Sequence, residues 1–200
     1  MNIISVIFHP LLLATWLCGA LLTIYPGIFP RIQPDLTLQF LLVLFLLTSL
    51  LPALSIVLLR SFSMISNFNI SERKERTMPF LFITFYYLAA SYLFIVKMQL
   101  GSTFITLMVS VSLLILLLVV MTRWLKVSVH AAAIWAASGY LIALTLKMAY
   151  LPHPILFILI IGAGLTSASR LYLGHHSPKE IWVGSITGFL YGFLVILLLL

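Results

Sequence analysis

Acidic residues are almost absent from this chain of 200 residues: Asp35, Glu72, Glu75 and Glu180 are all of them. No carboxylate cluster is therefore available to hold Mg²⁺ or Ca²⁺. Cysteine is scarcer still. Cys18 stands alone, which excludes an intramolecular disulfide and a thiolate metal site. The five histidines, at positions 9, 130, 153, 175 and 176, include only the adjacent pair 175/176, a poor chelate. These absences point to chemistry without a metal and imply no cofactor. Nucleic acid is not an expected partner, because no soluble basic surface exists to bind it. The net charge of +7 instead suits an anionic substrate, anionic lipid headgroups, or both.

What the chain has in abundance is apolar sequence. Hydrophobic residues make up 63% and charged residues 8%, with a mean hydropathy of +1.22, so a soluble domain is excluded. A bilayer-spanning helix takes about 20 apolar residues. Seven candidate segments run over 3–24, 36–59, 80–97, 103–122, 128–147, 155–173 and 181–200. The third and fourth are separated only by Gln99-Leu100-Gly101-Ser102. Gly101 and Ser102 suit a turn there, which makes the pair a helical hairpin; a single bent helix would lower the count to six. The first segment opens on Asn2, Ser5 and His9-Pro10 and lacks a basic leader, so it reads as a retained span. Lipid forces backbone amides to be satisfied internally. The expected fold is an all-α, polytopic transmembrane bundle of about seven spans, with residues 1–200 as one integral membrane domain. No internal repeat or linker suggests a second one.

Helix parity organises the loops. Counting seven passes puts 60–79, 123–127 and 174–180 on one face, and 25–35, 98–102 and 148–154 on the other. Three polar stretches about 50 residues apart are thereby expected to meet, as a composite site requires. The first is Ser71-Glu72-Arg73-Lys74-Glu75-Arg76-Thr77-Met78-Pro79, where Arg73 and Arg76 share a helix face at i and i+3 and suit a phosphate. A solvated juxtamembrane charge run is the alternative. In the second, Lys126-Val127-Ser128-Val129-His130, Ser128 suits an N-cap with an anion site behind it. His130 lies one turn in, either as an acid or as an interhelical hydrogen-bonding residue.

The third stretch, Ser169 to Glu180, is the most informative, since polar residues flanked by two apolar segments are costly to keep at membrane depth. Arg170 offers a planar fork for two phosphate oxygens. Gly174 fits a helix C-terminus. Ser177-Pro178-Lys179-Glu180 reads as a capping box with proline at the first helical position. Glu180 then has two possible tasks, bonding back to the Ser177 amide or orienting the ring of His176.

The order Ser-Arg, five residues, His, three residues, acid resembles the third motif of the type 2 phosphatidic acid phosphatase superfamily, with Glu180 in place of its Asp. The second motif, Pro-Ser-Gly-His, is matched at Ser128 and His130, with valines at 127 and 129. The first is matched in part at Arg76, with Asn69 where a Lys stands seven residues earlier and with Pro79 displaced. The resemblance covers a phosphatase-like core at about residues 70–190. It implies a lipid phosphate monoester as substrate and a two-step reaction. His176 would be the nucleophile forming a phosphohistidine, with Glu180 orienting it and His130 the leaving-group acid. Arg170, Ser128 and Arg76, with Arg73 as a further cation, would bind the phosphate, and no metal takes part.

Two other classes are open: a phosphate-lipid binding or scaffold protein on a decayed phosphatase fold, and a small anion transporter. A transporter should carry charge through the membrane depth, whereas the charges here concentrate at helix ends. The style of the chain resembles the small bacterial members of the superfamily, which implies a multi-pass protein of the bacterial inner membrane in contact with membrane lipids. Eight basic residues on the site face against three on the other put that face in the cytoplasm by the positive-inside rule. Setting aside Arg73, Arg76 and Arg170 as phosphate ligands reduces the bias to five against three.

Overall fold

The computed structural model describes residues 3–70, 72–148 and 153–200, and every regular element among them is helical. Ser71 and most of the expected 148–154 connection lie outside the described residues. The helices are α1 (Ile3–Ile7), α2 (Pro10–Ile24), α3 (Thr37–Phe45), α4 (Leu51–Ser61), α5 (Thr77–Met98), α6 (Ser102–Thr122), α7 (Val129–Met148), α8 (His153–Tyr172) and α9 (Pro178–Leu199). Six helical stretches are long and apolar enough to cross a membrane; α3 and α4 join in one of them, Pro34–Ser61. The chain is a membrane protein built as a polytopic helical bundle.

The first expected span is broken rather than continuous. Proline disfavours helical backbone in the residue before it, and His9 is extended at φ −66°, ψ 135°. The helix restarts with His9 as N-cap and Pro10 at its first position, and the His9 Nδ1 accepts from the Leu11 N–H at 3.3 Å. At 1.5 Å per residue the 15 residues of α2 reach about 22 Å, short of a ~30 Å hydrocarbon layer. A second proline acts differently. The single turn Leu46–Leu50, just ahead of Pro52, is wound as a π-helix. That widening relieves the clash between a proline ring and the carbonyl four residues back. The 98–102 turn forms as a hairpin between α5 and α6, but its left-handed residue is Gln99 (φ 49°) rather than Gly101.

The bundle is packed most tightly between α7 and α9. Lipid removes the hydrophobic drive for helix association, so close backbone approach through small residues has to supply contact. Gly184, Gly188 and Gly192 recur every fourth residue on α9. A Cβ on any of them would strike the carbonyls of Ser128, Ala132 and Ala136 respectively. Polar side chains add links: Tyr191 Oη donates to the Ser110 carbonyl at 2.8 Å, and Ser110 Oγ donates to Tyr140 Oη at 3.0 Å, tying α6, α7 and α9. α1 is fixed to α8 by the buried Ser5–Ser169 hydroxyl pair at 3.0 Å. Phe8 lies over Gly162, where a Cβ would come within 2.6 Å of its ring.

Candidate functional site

The three polar stretches do meet on one face, joined by backbone and side-chain hydrogen bonds. Arg76 Nη1 donates to the Val127 carbonyl at 2.8 Å. Lys126 Nζ reaches the His175 carbonyl at 3.2 Å, and the Ser128 amide donates to the Glu180 carbonyl at 3.3 Å. The segment before α5 is shaped for this. Both the amide and the hydroxyl of Ser66 bond Glu75 Oε2 at 2.9 Å, and Arg76 Nε donates to the Ile70 carbonyl at 3.1 Å. Ile70 itself is left-handed at φ 46°, a conformation a β-branched residue adopts only where its surroundings impose it.

Beneath these loops lies a cavity of about 300 Å³ whose polar lining is His9, Asn69, Arg76, His130, Arg170 and His176. Set against roughly 30 Å³ for a water molecule, it has room for a phosphoryl group and part of its alcohol. Arg76 and Arg170 are each only 4% exposed, and among the described residues neither forms an ion pair. The Arg170 Nε is buried without a hydrogen-bond partner. A buried charged donor left without a partner costs roughly 1–3 kcal/mol or more, so this guanidinium is arranged for an acceptor that the described residues do not supply. A phosphoryl oxygen has the required charge and geometry.

Glu180 carries out both of the tasks that its position allowed. Its Oε2 lies 2.8 Å from His176 Nδ1 and also accepts from the Ser177 amide at 3.3 Å, while the Ser177 hydroxyl caps the Glu180 amide at 3.4 Å. The capping box therefore positions the carboxylate, and the carboxylate positions the imidazole. A neutral His176 donating Nδ1–H to Glu180 carries its lone pair on Nε2. Burial pushes the His176 ring down to about 4, against the hydrogen bond it donates to Glu180, which raises it; the Arg76 and Arg170 charges act with burial. The ring is thus neutral, and able to act as a nucleophile, at pH 7. Gly174, left-handed at φ 64° beyond the end of α8, turns the chain from Arg170 towards this pair.

Residues 122–200 match the PAP2 superfamily. No curated protein and no solved structure matches the chain. The PAP2 match takes in α7, α8 and α9, hence Ser128, His130, Arg170, His176 and Glu180. It agrees with the family that the three stretches resemble, and it supports a phosphatase-type function. Arg76 and His9 enter the same cavity from outside the matched segment.

Not every anticipated residue reaches the cavity. Arg73 is exposed and donates to the Trp124 carbonyl at 2.9 Å, so it braces one loop against another instead of joining Arg76. The two share the 3₁₀ turn 73–76 that leads into α5, yet only Arg76 is buried. Ser128 is fully buried, and its Oγ accepts from the Ala131 amide at 3.4 Å as the cap of α7. His175 is half-buried and holds Lys126 through its carbonyl, outside the cavity lining. His9 was not anticipated as a site residue. Its ring stands edge-on to that of His130, with centroids 5.0 Å apart and planes at 88°.

Proposed function

We propose that this protein is a membrane-embedded, metal-independent phosphatase that hydrolyses a lipid phosphate monoester through a phosphohistidine. The observation that carries the reading is that His176, bonded to Glu180, lines the same cavity as Arg170, whose Nε is without a partner among the described residues. The His176 Nε2 lone pair attacks phosphorus in line, and the bond from phosphorus to the alcohol oxygen breaks, which splits one difficult displacement into two. His130 gives its proton to the departing alkoxide and afterwards takes one from water, which attacks the phosphohistidine and releases phosphate. Arg170 and Arg76 bind the equatorial oxygens, and such positioning and charge stabilisation supply most of the catalysis in phosphoryl transfer.

An apolar cleft supports the lipid part of this reading. It lies between α2, α5, α6 and α7, with Tyr87 and Tyr140 in its lining, and it shares Pro10, Leu11, Phe80, Ile83 and Val129 with the polar cavity. A phosphate held by Arg170 would thus have an apolar channel beside it for a hydrocarbon chain. The bacterial inner membrane is the setting that the resemblance implies. The test is release of inorganic phosphate from a panel of phosphatidate, isoprenyl phosphate and long-chain base phosphate by purified protein in EDTA. Release in EDTA is expected; none from any substrate would favour a binding protein, and release only after Mg²⁺ addition would overturn metal independence.

A further inference from the structure

We propose that His9 is a ligand-binding residue of this site, a neutral imidazole whose Nε2–H donates to a phosphoryl oxygen. The inference rests on the phosphatase reading above and adds a residue that lies outside all three motifs. Its origin is the break between α1 and α2. Pro10 holds His9 in extended backbone, and its side chain closes the open N-terminus of α2, with Nδ1 accepting from the Leu11 amide at 3.3 Å. An Nδ1 that accepts carries no proton, so the proton of the neutral ring sits on Nε2. Among the described residues Nε2 has no acceptor.

The same bond decides what His9 does not do. Protonating Nδ1 would turn an N–H against the Leu11 N–H and break the cap, so the cap opposes the imidazolium. His9 is therefore a fixed donor and not a second acid, which leaves proton transfer to His130, whose ring lies 5.0 Å away. His9 is also held in place from the side that matters. The Ser5–Ser169 bond and the Phe8–Gly162 contact fasten α1 to α8, the helix that carries Arg170, and both His9 and Arg170 line the cavity. The N-terminal segment thus brings a donor to an anion that α8 already holds with a guanidinium.

Two substitutions separate this role from that of the cap alone. His9→Asn keeps a side-chain oxygen suited to an N-cap but is too short to present a donor to the cavity. His9→Gln places an amide N–H near the position of Nε2 but caps poorly. Full-length protein in detergent is assayed on p-nitrophenyl phosphate and on phosphatidate, with inorganic phosphate as a competing ligand. His9→Asn is expected to fold, to lose about 10- to 100-fold in kcat/KM, and to bind inorganic phosphate more weakly by a similar factor, as for a lost hydrogen bond to a charged group. His9→Gln should retain activity within about 5-fold, with a lower melting temperature that reflects the lost cap, a contribution of the usual N-cap size. The opposite order, Asn like wild type and Gln impaired, overturns the proposal in favour of a capping residue. So does loss of folding in both variants. A wild-type protein that neither hydrolyses these esters nor binds phosphate removes the phosphatase reading and this inference together, whereas an active wild type matched by His9→Asn removes only the role of His9.

Discussion

The two halves of this molecule are built on different terms. From α7 to α9 the helices are uninterrupted and two of them touch backbone to backbone through Gly184, Gly188 and Gly192. Before residue 100 the chain is broken at Pro10, wound as a π-turn ahead of Pro52, and left-handed at Ser63, Ile70 and Gln99, which are the non-glycine positive-φ residues among those described. The PAP2 match covers the first kind of structure and not the second. The difference is one of tolerance. His176, His130 and Arg170, the groups that the proposed reaction brings to phosphorus, hang on the rigid half. The irregular half adds Arg76 from a 3₁₀ turn and His9 from a helix break to the lining of the same cavity.

The sharpest way to test this division is to remove one side chain from the rigid half. His176→Ala should take hydrolysis to background and abolish any acid-labile phosphoenzyme, measured by trapping with labelled substrate at low pH. A phosphoenzyme surviving in that variant would move the nucleophile elsewhere, with the adjacent His175 first in line. Breaking the packing should do as much damage by another route. Gly188→Val places a branched side chain against the Ala132 carbonyl; overpacking typically costs 1–3 kcal/mol, and here the obstacle is backbone that cannot repack. The variant should melt well below wild type or fail to accumulate in the membrane. An equally large branched residue at Gly164, where a Cβ meets nothing within 4 Å, should be tolerated. Equal tolerance at both sites would mean that α7 and α9 are not in close contact.

Arg170 carries the next effect. Arg170→Lys keeps the charge and loses the fork, so a folded variant should fall by about 10²–10³ in rate, as when one preorganised donor is lost. Near-normal turnover would demote this residue to a structural role at the end of α8.

How much of this was legible in the chain follows the same division. Parity of the apolar segments was enough to bring 60–79, 123–127 and 174–180 together, because each span reverses direction whatever its irregularities. The capping box Ser177–Glu180 was legible because local bonds within four residues need no tertiary information. The two roles of Glu180 looked like alternatives only because spacing does not show that one carboxylate oxygen reaches both the Ser177 amide and the His176 ring. Where the chain is irregular, pattern failed. Spacing treated Arg73 and Arg76 alike and could not show that one bonds the Trp124 carbonyl at the surface while the other is buried on the Val127 carbonyl. His9 lies 121 positions before His130, and nothing in a hydrophobic run announces which of its polar residues will turn inward. The rule that could have found it was the restriction that Pro10 imposes on its predecessor, which breaks the helix and makes His9 a cap.

Glu180→Gln should have a smaller effect than Arg170→Lys. Glutamine can keep both the bond to the His176 ring and the capping box, so the fold should hold. What it loses is the negative charge, and charge-assisted bonds are about twice as strong as neutral ones, which suggests roughly a 10-fold fall in kcat. The pH profile makes the test specific. In the wild type His176 is held down to about 4, chiefly by burial, while Glu180 pulls it up. His176 is neutral above that value, so if it is the nucleophile the acid limb should appear near pH 4 rather than near 6.5. Removing the carboxylate removes an upward influence, so the limb should move to still lower pH. A limb moving upward in Glu180→Gln would show that the carboxylate does not act on His176.

The smallest expected effect bears on the irregular half. Arg73 and Arg76 are three residues apart, both cationic and both on the loop before α5, and a reading from charge alone treats them alike. Their surroundings do not. Arg76 is buried and lines the cavity, with Nε on the Ile70 carbonyl and Nη1 on the Val127 carbonyl. Arg73 is exposed, and its one bond runs to the Trp124 carbonyl. Arg76→Ala should therefore lower kcat/KM and loosen the loop at once, because the same guanidinium holds two backbone oxygens that would be left without a donor. Arg73→Ala should change kcat/KM by no more than about 3-fold, since an exposed polar contact contributes within about 0.5 kcal/mol of nothing. Measured at two salt concentrations, any residual effect of Arg73→Ala should shrink as salt rises, which marks diffuse attraction for an anionic substrate. A loss in Arg73→Ala as large as that in Arg76→Ala, and insensitive to salt, would place Arg73 in the phosphate site beside Arg76.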